Sequence, residues 1–272
     1  MWKVVCGLVV IALLAGCQRP DAGAQRATGT EPPALAAPGA GSTAARRLFF
    51  SGYEWIVKSA GDGPVGPGPN YFADGPDAVW VDEGGRLHLR LHFKYERWWA
   101  AEVISVRSFG YGTYRFHLDT NMDDLDPNVI LGLFTWNDDQ AFTHREIDIE
   151  MGRWGQDNND LGQCVVQPYE RPENLVRFAL PRGLQASLHS FTWRPDRVSC
   201  QILAGPDARP EQSSVVIYQH TFTTGIPAPG GENARINLWL LGGQGPRHGQ
   251  DIEVVIGRFE FLPYSLRKRR VS

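Results

Sequence analysis

From Leu48 onward the polar and apolar positions of this chain alternate with a period of two. Every second side chain is apolar in Arg86-Leu87-His88-Leu89-Arg90-Leu91-His92-Phe93, and again in Thr113-Tyr114-Arg115-Phe116-His117-Leu118. That is the spacing of a β-strand with one face in a core and the other in solvent or a groove. Comparable runs at 129–136, 146–151, 164–167, 191–193, 215–218, 235–241 and 253–261 predict further strands, punctuated by glycine and proline. With 30 Gly, 19 Pro and no long amphipathic helical pattern, the expected fold is an all-β antiparallel sandwich and not α/β.

The N-terminal stretch breaks this pattern. Lys3 followed by the apolar run 4–14 has the layout of a signal peptide, too short to span a bilayer as a helix. Leu14-Ala15-Gly16-Cys17 looks like a bacterial lipobox, in which Cys17 carries the lipid. Residues 1–16 are then a lipoprotein signal, and acyl chains on Cys17 hold the protein to a membrane of the cell envelope. Gln18 after the cysteine favours the outer membrane where the organism has one. Residues 17–46 are rich in Ala, Gly, Pro, Thr and Ser and cannot offset their ordering entropy by burial. They read as a flexible tether about 30 Å in end-to-end distance. The folded domain is expected at 47–264, followed by a basic tail at 265–272 that ends in Arg267-Lys268-Arg269-Arg270 and reads as a solvated end.

Net charge is −3 with scattered lysines and arginines, which argues against a nucleic-acid partner. No CxxC, HExxH or P-loop motif is present, so no metal or other cofactor is expected, and the chain is expected to be a monomer. Cys164 and Cys200 are the cysteines of the folded part; in an oxidising compartment they suit a disulfide, with two free buried thiols as the alternative.

Two features suggest chemistry. Trp98, Trp99, Trp136, Trp154 and Trp239 lie among charged residues or glycines. Such rings either fill the core or stack on sugar faces in a groove. The sharper feature is Glu146-Ile147-Asp148-Ile149-Glu150. As a strand it places the three acids on one face and Ile147, Ile149 and Met151 on the other. Three enclosed carboxylates raise one another's pKa, and one of them then carries a proton near neutrality, as glycoside hydrolysis requires. On a flat strand the first and last acids stand roughly 13 Å apart at Cα. Their cooperation in a retaining mechanism therefore calls for a bent strand on a concave sheet.

These residues resemble glycoside hydrolase family 16, and within it the bacterial lichenases, over 52–263. The resemblance implies a concanavalin A-like β-jelly-roll with a concave groove, and retaining cleavage of a β-linked polysaccharide such as a β-1,3/1,4-glucan. It implies Glu146 as nucleophile, Glu150 as acid/base and Asp148 as the residue that positions and tunes Glu146. Phe134-Thr135-Trp136, Gln167-Pro168-Tyr169 and Asn237-Leu238-Trp239 resemble family stretches around the catalytic strand. With Glu102, eight residues before Gly110, they make Glu102, Phe134, Trp136, Gln167, Tyr169, Asn237 and Trp239 the groove candidates. Asn70 joins them on a one-residue displacement, and Trp154 as a side chain that either closes one end of the groove or packs a loop. His144 stands where lichenases have tryptophan, and it either serves the site or makes a loop contact. Ile104 replaces a sugar-binding arginine. Gly257 replaces an aspartate that helps bind a structural calcium. Alternative functions are transglycosylation on the same acids and a non-catalytic, lectin-like sugar binder.

Overall fold

The computed structural model describes residues 45–61, 63–205 and 215–265. The signal segment, Cys17, nearly all of the tether and residues 266–272 of the basic tail lie outside them.

Two antiparallel sheets form a β-jelly-roll sandwich. One runs in the order β1 (Arg47–Phe50), β2 (Tyr53–Val57), β6 (Arg97–Ser108), β15 (Asn233–Leu240), β8 (Val129–Trp136), β9 (Ile147–Gly152), β10 (Gly162–Val166) and β11 (Leu175–Phe178). The other runs β4 (Val79–Val81), β5 (Leu87–Lys94), β16 (Ile252–Pro263), β7 (Gly112–Leu118), β12 (Ser187–Arg194), β13 (Arg197–Ala204) and β14 (Val216–Phe222). The hairpin between β5 and β6 carries the chain from one sheet to the other, and β3 (Tyr71–Phe72) lies parallel to the start of β6.

The alternation seen in the sequence determines which face of each strand is inside. Leu87, Leu89 and Leu91 on β5 and Tyr114, Phe116 and Leu118 on β7 are fully buried between the sheets. Tyr114 stacks on Phe191 at 4.6 Å, and Phe116 meets Phe259 at 5.2 Å. Each such ring removed from water contributes about 1.5–3 kcal/mol. The middle of β6 departs from the pattern because both its faces are covered: Ala100, Ala101, Glu102 and Val103 are all buried in succession. That strand is absent from the expected set for this reason.

Cys164 on β10 and Cys200 on β13 point into the core from opposing sheets and are free thiols. The disulfide expectation is thus corrected to its alternative. Burial and the Cys200 thiol beside it push Cys164 well above the usual thiol range, so Cys164 is not a ready thiolate.

Candidate active site

Ile147, Ile149 and Met151 of β9 are fully buried in the core, which turns Asp148 and Glu150 to the opposite, outer face of the sheet. Glu146 stands one residue before the strand on an extended backbone. The loop that delivers it is tightly held. Thr143, His144 and Arg145 all have φ between 51° and 58°, a left-handed region costly for non-glycine residues. The clamps are visible: His144 stacks on Trp136 at 3.9 Å and pairs through Nδ1 with the Asn137 carbonyl. Arg145 donates from Nε to the Ala228 carbonyl, and its guanidinium lies 4.1 Å over Phe142. Thr135 Oγ1 donates to the Arg145 carbonyl and accepts from the Ile147 amide, which pins the start of β9.

The strand register lines polar residues into one row across the outer face. Glu102 on β6 faces Asn237 on β15, which faces Gly132 on β8, which faces Glu150 on β9, then Gln163 on β10 and Arg177 on β11. A second row carries Arg235, Phe134 and Asp148. Gly132 has no side chain where the space is needed: a Cβ there would collide with the Asn237 amide. Above these rows lies a groove of about 430 Å³, lined by the three acids together with Lys58, Pro67, Glu102, Gly132, Phe134, Trp136, Asp138, Arg235, Asn237 and Trp239.

The electrostatics of the acids differ one from another. Burial raises Glu150 to about 7, opposed by a 2.6 Å hydrogen bond from Gln163 Nε2 and by the charge of Arg177. Asp148 is raised well above the usual carboxylate range, by burial and by the charges of both glutamates. It accepts from Gln167 Nε2 at 3.2 Å and shares a hydrogen bond with Glu146. Glu146 is also raised, to about 8, by burial and by Glu150, while the bond from Asp148 and the Arg235 charge act the other way and favour its ionised form. The proton between Asp148 and Glu146 thus rests on Asp148, the more enclosed carboxyl. Glu102, fully buried, is neutralised by Lys58 Nζ at 2.7 Å and Arg235 at 3.3 Å.

Of the sequence candidates, Glu102, Phe134, Trp136, Asn237 and Trp239 line the groove with the three acids. Glu102 does so with its oxygens already taken by cations. Gln167, directly across from Glu146, reaches Asp148 and not the open groove. Tyr169 is 57% exposed beyond it. His144 supports Trp136 from behind. Trp154 packs edge-on against Trp239 at 5.9 Å, backing the groove wall. Asn70 is corrected: its amide is spent on the Pro67 and Leu240 backbones, fastening the 65–70 loop to the end of β15.

Sequence reasoning missed Lys58, Gly132, Arg235, Gln163 and Arg177. The last four follow from register, which one chain read alone does not supply. Arg235 lies directly across from Ile104. A guanidinium therefore stands in the groove after all, supplied by the neighbouring strand.

No protein-family model matches the sequence, and no relative is found among curated proteins. Solved structures do match. The β-glucanase of Bacillus licheniformis superposes with a TM-score of 0.56 at 19% identity, over 80% of this chain and 95% of that one. A Mycobacterium tuberculosis protein described as an immunostimulatory antigen and pseudo β-1,3-glucanase gives 0.54 at 20% identity, over 78% and 91%. LamA of Zobellia galactanivorans, solved with laminaritriose and laminaritetraose, gives 0.52 at 13%, over 76% and 91%. At these identities the likeness concerns architecture, and the protein has the β-jelly-roll fold of the β-glucanases.

Proposed function

We propose that the protein is a retaining glycoside hydrolase acting on a β-linked polysaccharide of the β-glucan type. The observation that carries this reading is the set of three neighbouring carboxylates on the floor of an aromatic-walled groove, each in a different environment. One neighbour of this fold is named a pseudo β-1,3-glucanase, so the argument rests on the acids and not on the fold.

Glu150, protonated up to about pH 7, gives its proton to the glycosidic oxygen as the bond to the anomeric carbon breaks. Glu146 in its ionised form, which the hydrogen bond from Asp148 and the Arg235 charge favour against burial and the Glu150 charge, attacks that carbon and forms a glycosyl ester. Glu150, now a carboxylate, takes a proton from water, which displaces Glu146 and restores the starting state. Trp136, Phe134 and Trp239 offer faces for the sugar rings. We propose further that the protein is exported and held to the cell envelope through a lipid on Cys17.

The test is a screen of the full-length protein against mixed-linkage glucan, laminarin, xyloglucan, agar and carrageenan, with and without acceptor sugars. New reducing ends from a β-glucan support the reading. Longer products only when acceptor is added would make the protein a transglycosylase. Binding without cleavage would make it a lectin.

A further inference from the structure

The loop after β2 has different surroundings on its two sides. Lys58 and Pro67 face the groove, whereas Ser59 and Gly61, with Phe72 of β3, line a smaller pocket of about 240 Å³. Asp74, Asp77 and His92 contribute its polar groups, and Tyr95 and Trp99 its rings. The aromatic wall is built and held. Trp99 donates from Nε1 to the Lys94 carbonyl at 3.0 Å, and Tyr71 packs against it at 5.8 Å. The Arg97 guanidinium lies 4.7 Å over the Tyr71 ring.

Tyr95 is held differently. It and Glu96 form the two-residue turn of the β5–β6 hairpin, both with positive φ, 54° and 59°. Such turns are normally Asn-Gly or Asp-Gly, because bulky residues resist that conformation. Here the position presents a tyrosine that is 74% exposed at the pocket's edge.

The charges select among ligands. Lys94 is paired with Asp77 at 2.9 Å, so Asp74 keeps the pocket from being cationic. That disfavours an anionic lipid surface, even though exposed aromatics could enter one. His92 is buried, with Nε2 4.0 Å from Asp77 and no partner for Nδ1. The half-buried Trp99 and the exposed Tyr95, beside carboxylates and an imidazole, suit a ligand with both C–H faces and hydroxyl groups.

We propose that this pocket is a second glycan-binding site, taking an uncharged segment of the same polysaccharide one loop away from the groove. The proposal rests on the functional reading above for its ligand class. It gives the protein a hold on a chain that is independent of the cleavage site.

The experiment is a titration of the full-length Glu146→Gln protein with laminaritetraose and with a mixed-linkage tetrasaccharide, following tryptophan indole N–H signals by NMR. The Trp99 and Trp239 signals are expected to move with separate affinities. Tyr95→Ala should weaken the Trp99 response about tenfold and leave the Trp239 response in place. Movement of Trp239 with Trp99 unmoved by either sugar would overturn the proposal and keep the groove reading. Movement of Trp99 alone, still sensitive to Tyr95, would keep the pocket and sink the groove reading. No movement of either would overturn both. A Tyr95-dependent association with phosphatidylglycerol vesicles, in place of any sugar response, would assign the hairpin tip to a membrane and end the proposal.

Discussion

Gln163 Nε2 donates a 2.6 Å hydrogen bond to Glu150 Oε2 from the adjacent strand, and the Gln163 backbone faces Glu150 on one side and Arg177 on the other. This bond favours the ionised carboxylate and works against the burial that raises Glu150. A hydrogen bond to a charged group is worth about 1.5–3 kcal/mol, and one pKa unit about 1.4 kcal/mol. Gln163→Leu should therefore raise Glu150 by about one to two units. If Glu150 is the acid, the alkaline limb of kcat/KM moves up by that amount while the acid limb stays. An unmoved alkaline limb would separate Glu150 from the proton transfer.

The same burial makes the acids a stability burden. Glu150 is raised in the fold from 4.5 to about 7, so its contribution is fully present below pH 4.5 and is lost as pH rises through 7. Glu150→Gln removes the ionisation. Denaturant titrations should find the variant more stable than the parent by at most about 3 kcal/mol at pH 8, and little different at pH 4.5. Equal effects at both pH values would contradict the burial account.

His189 acts with the opposite sign. It is fully buried between the sheets, paired through Nε2 with Ser187 Oγ at 2.8 Å, and its pKa is lowered by burial from 6.5 to about 3. The unfolded chain takes a proton below pH 6.5 that the fold refuses, so this stability is present above 6.5 and is lost as pH falls toward 3. The loss approaches about 1.4 kcal/mol per pH unit. Comparing the parent with His189→Gln at pH 7 and pH 5 isolates it. The drop should be smaller in the variant by about 2 kcal/mol. An unchanged drop would show that another group accounts for it.

Much of this architecture is legible in the alternation itself, because a strand with one apolar face declares which face is inside. Ile147, Ile149 and Met151 are the clearest instance: three apolar side chains at every second position suffice to turn Asp148 and Glu150 to the outside. What a single chain does not carry is register. Gly132 reads as a glycine in an apolar run until β8 is set beside β9 and β15, where it becomes the gap between Glu150 and Asn237. Arg235 likewise has no meaning until it lies across from Ile104. Glu102 was found by resemblance, but its two cations come from β15 and from the residue just after β2. Asn70 failed because an amide that could serve a sugar can equally cap a backbone, and only the fold decides between them.

The lipid anchor has its own test. Cys17→Ser should move the protein from the membrane fraction to the soluble one without changing its specific activity, since the groove residues all lie at Lys58 or beyond. Retention on membranes at unchanged salt and detergent would refute the lipobox reading.

The division of labour between Glu146 and Glu150 is tested by azide rescue on an aryl β-glycoside with a good leaving group. Glu150→Ala should lose polysaccharide cleavage but still form the glycosyl-enzyme, because that leaving group needs no proton, and azide should resolve it to a β-glycosyl azide. Glu146→Ala should form no such intermediate and give no β-azide. An α-azide from Glu146→Ala is the expected product where azide replaces the missing nucleophile directly. Rescue of Glu146→Ala to a β-azide with none for Glu150→Ala would exchange the two roles, and undiminished polysaccharide cleavage by both variants would remove the carboxylate strand from the chemistry.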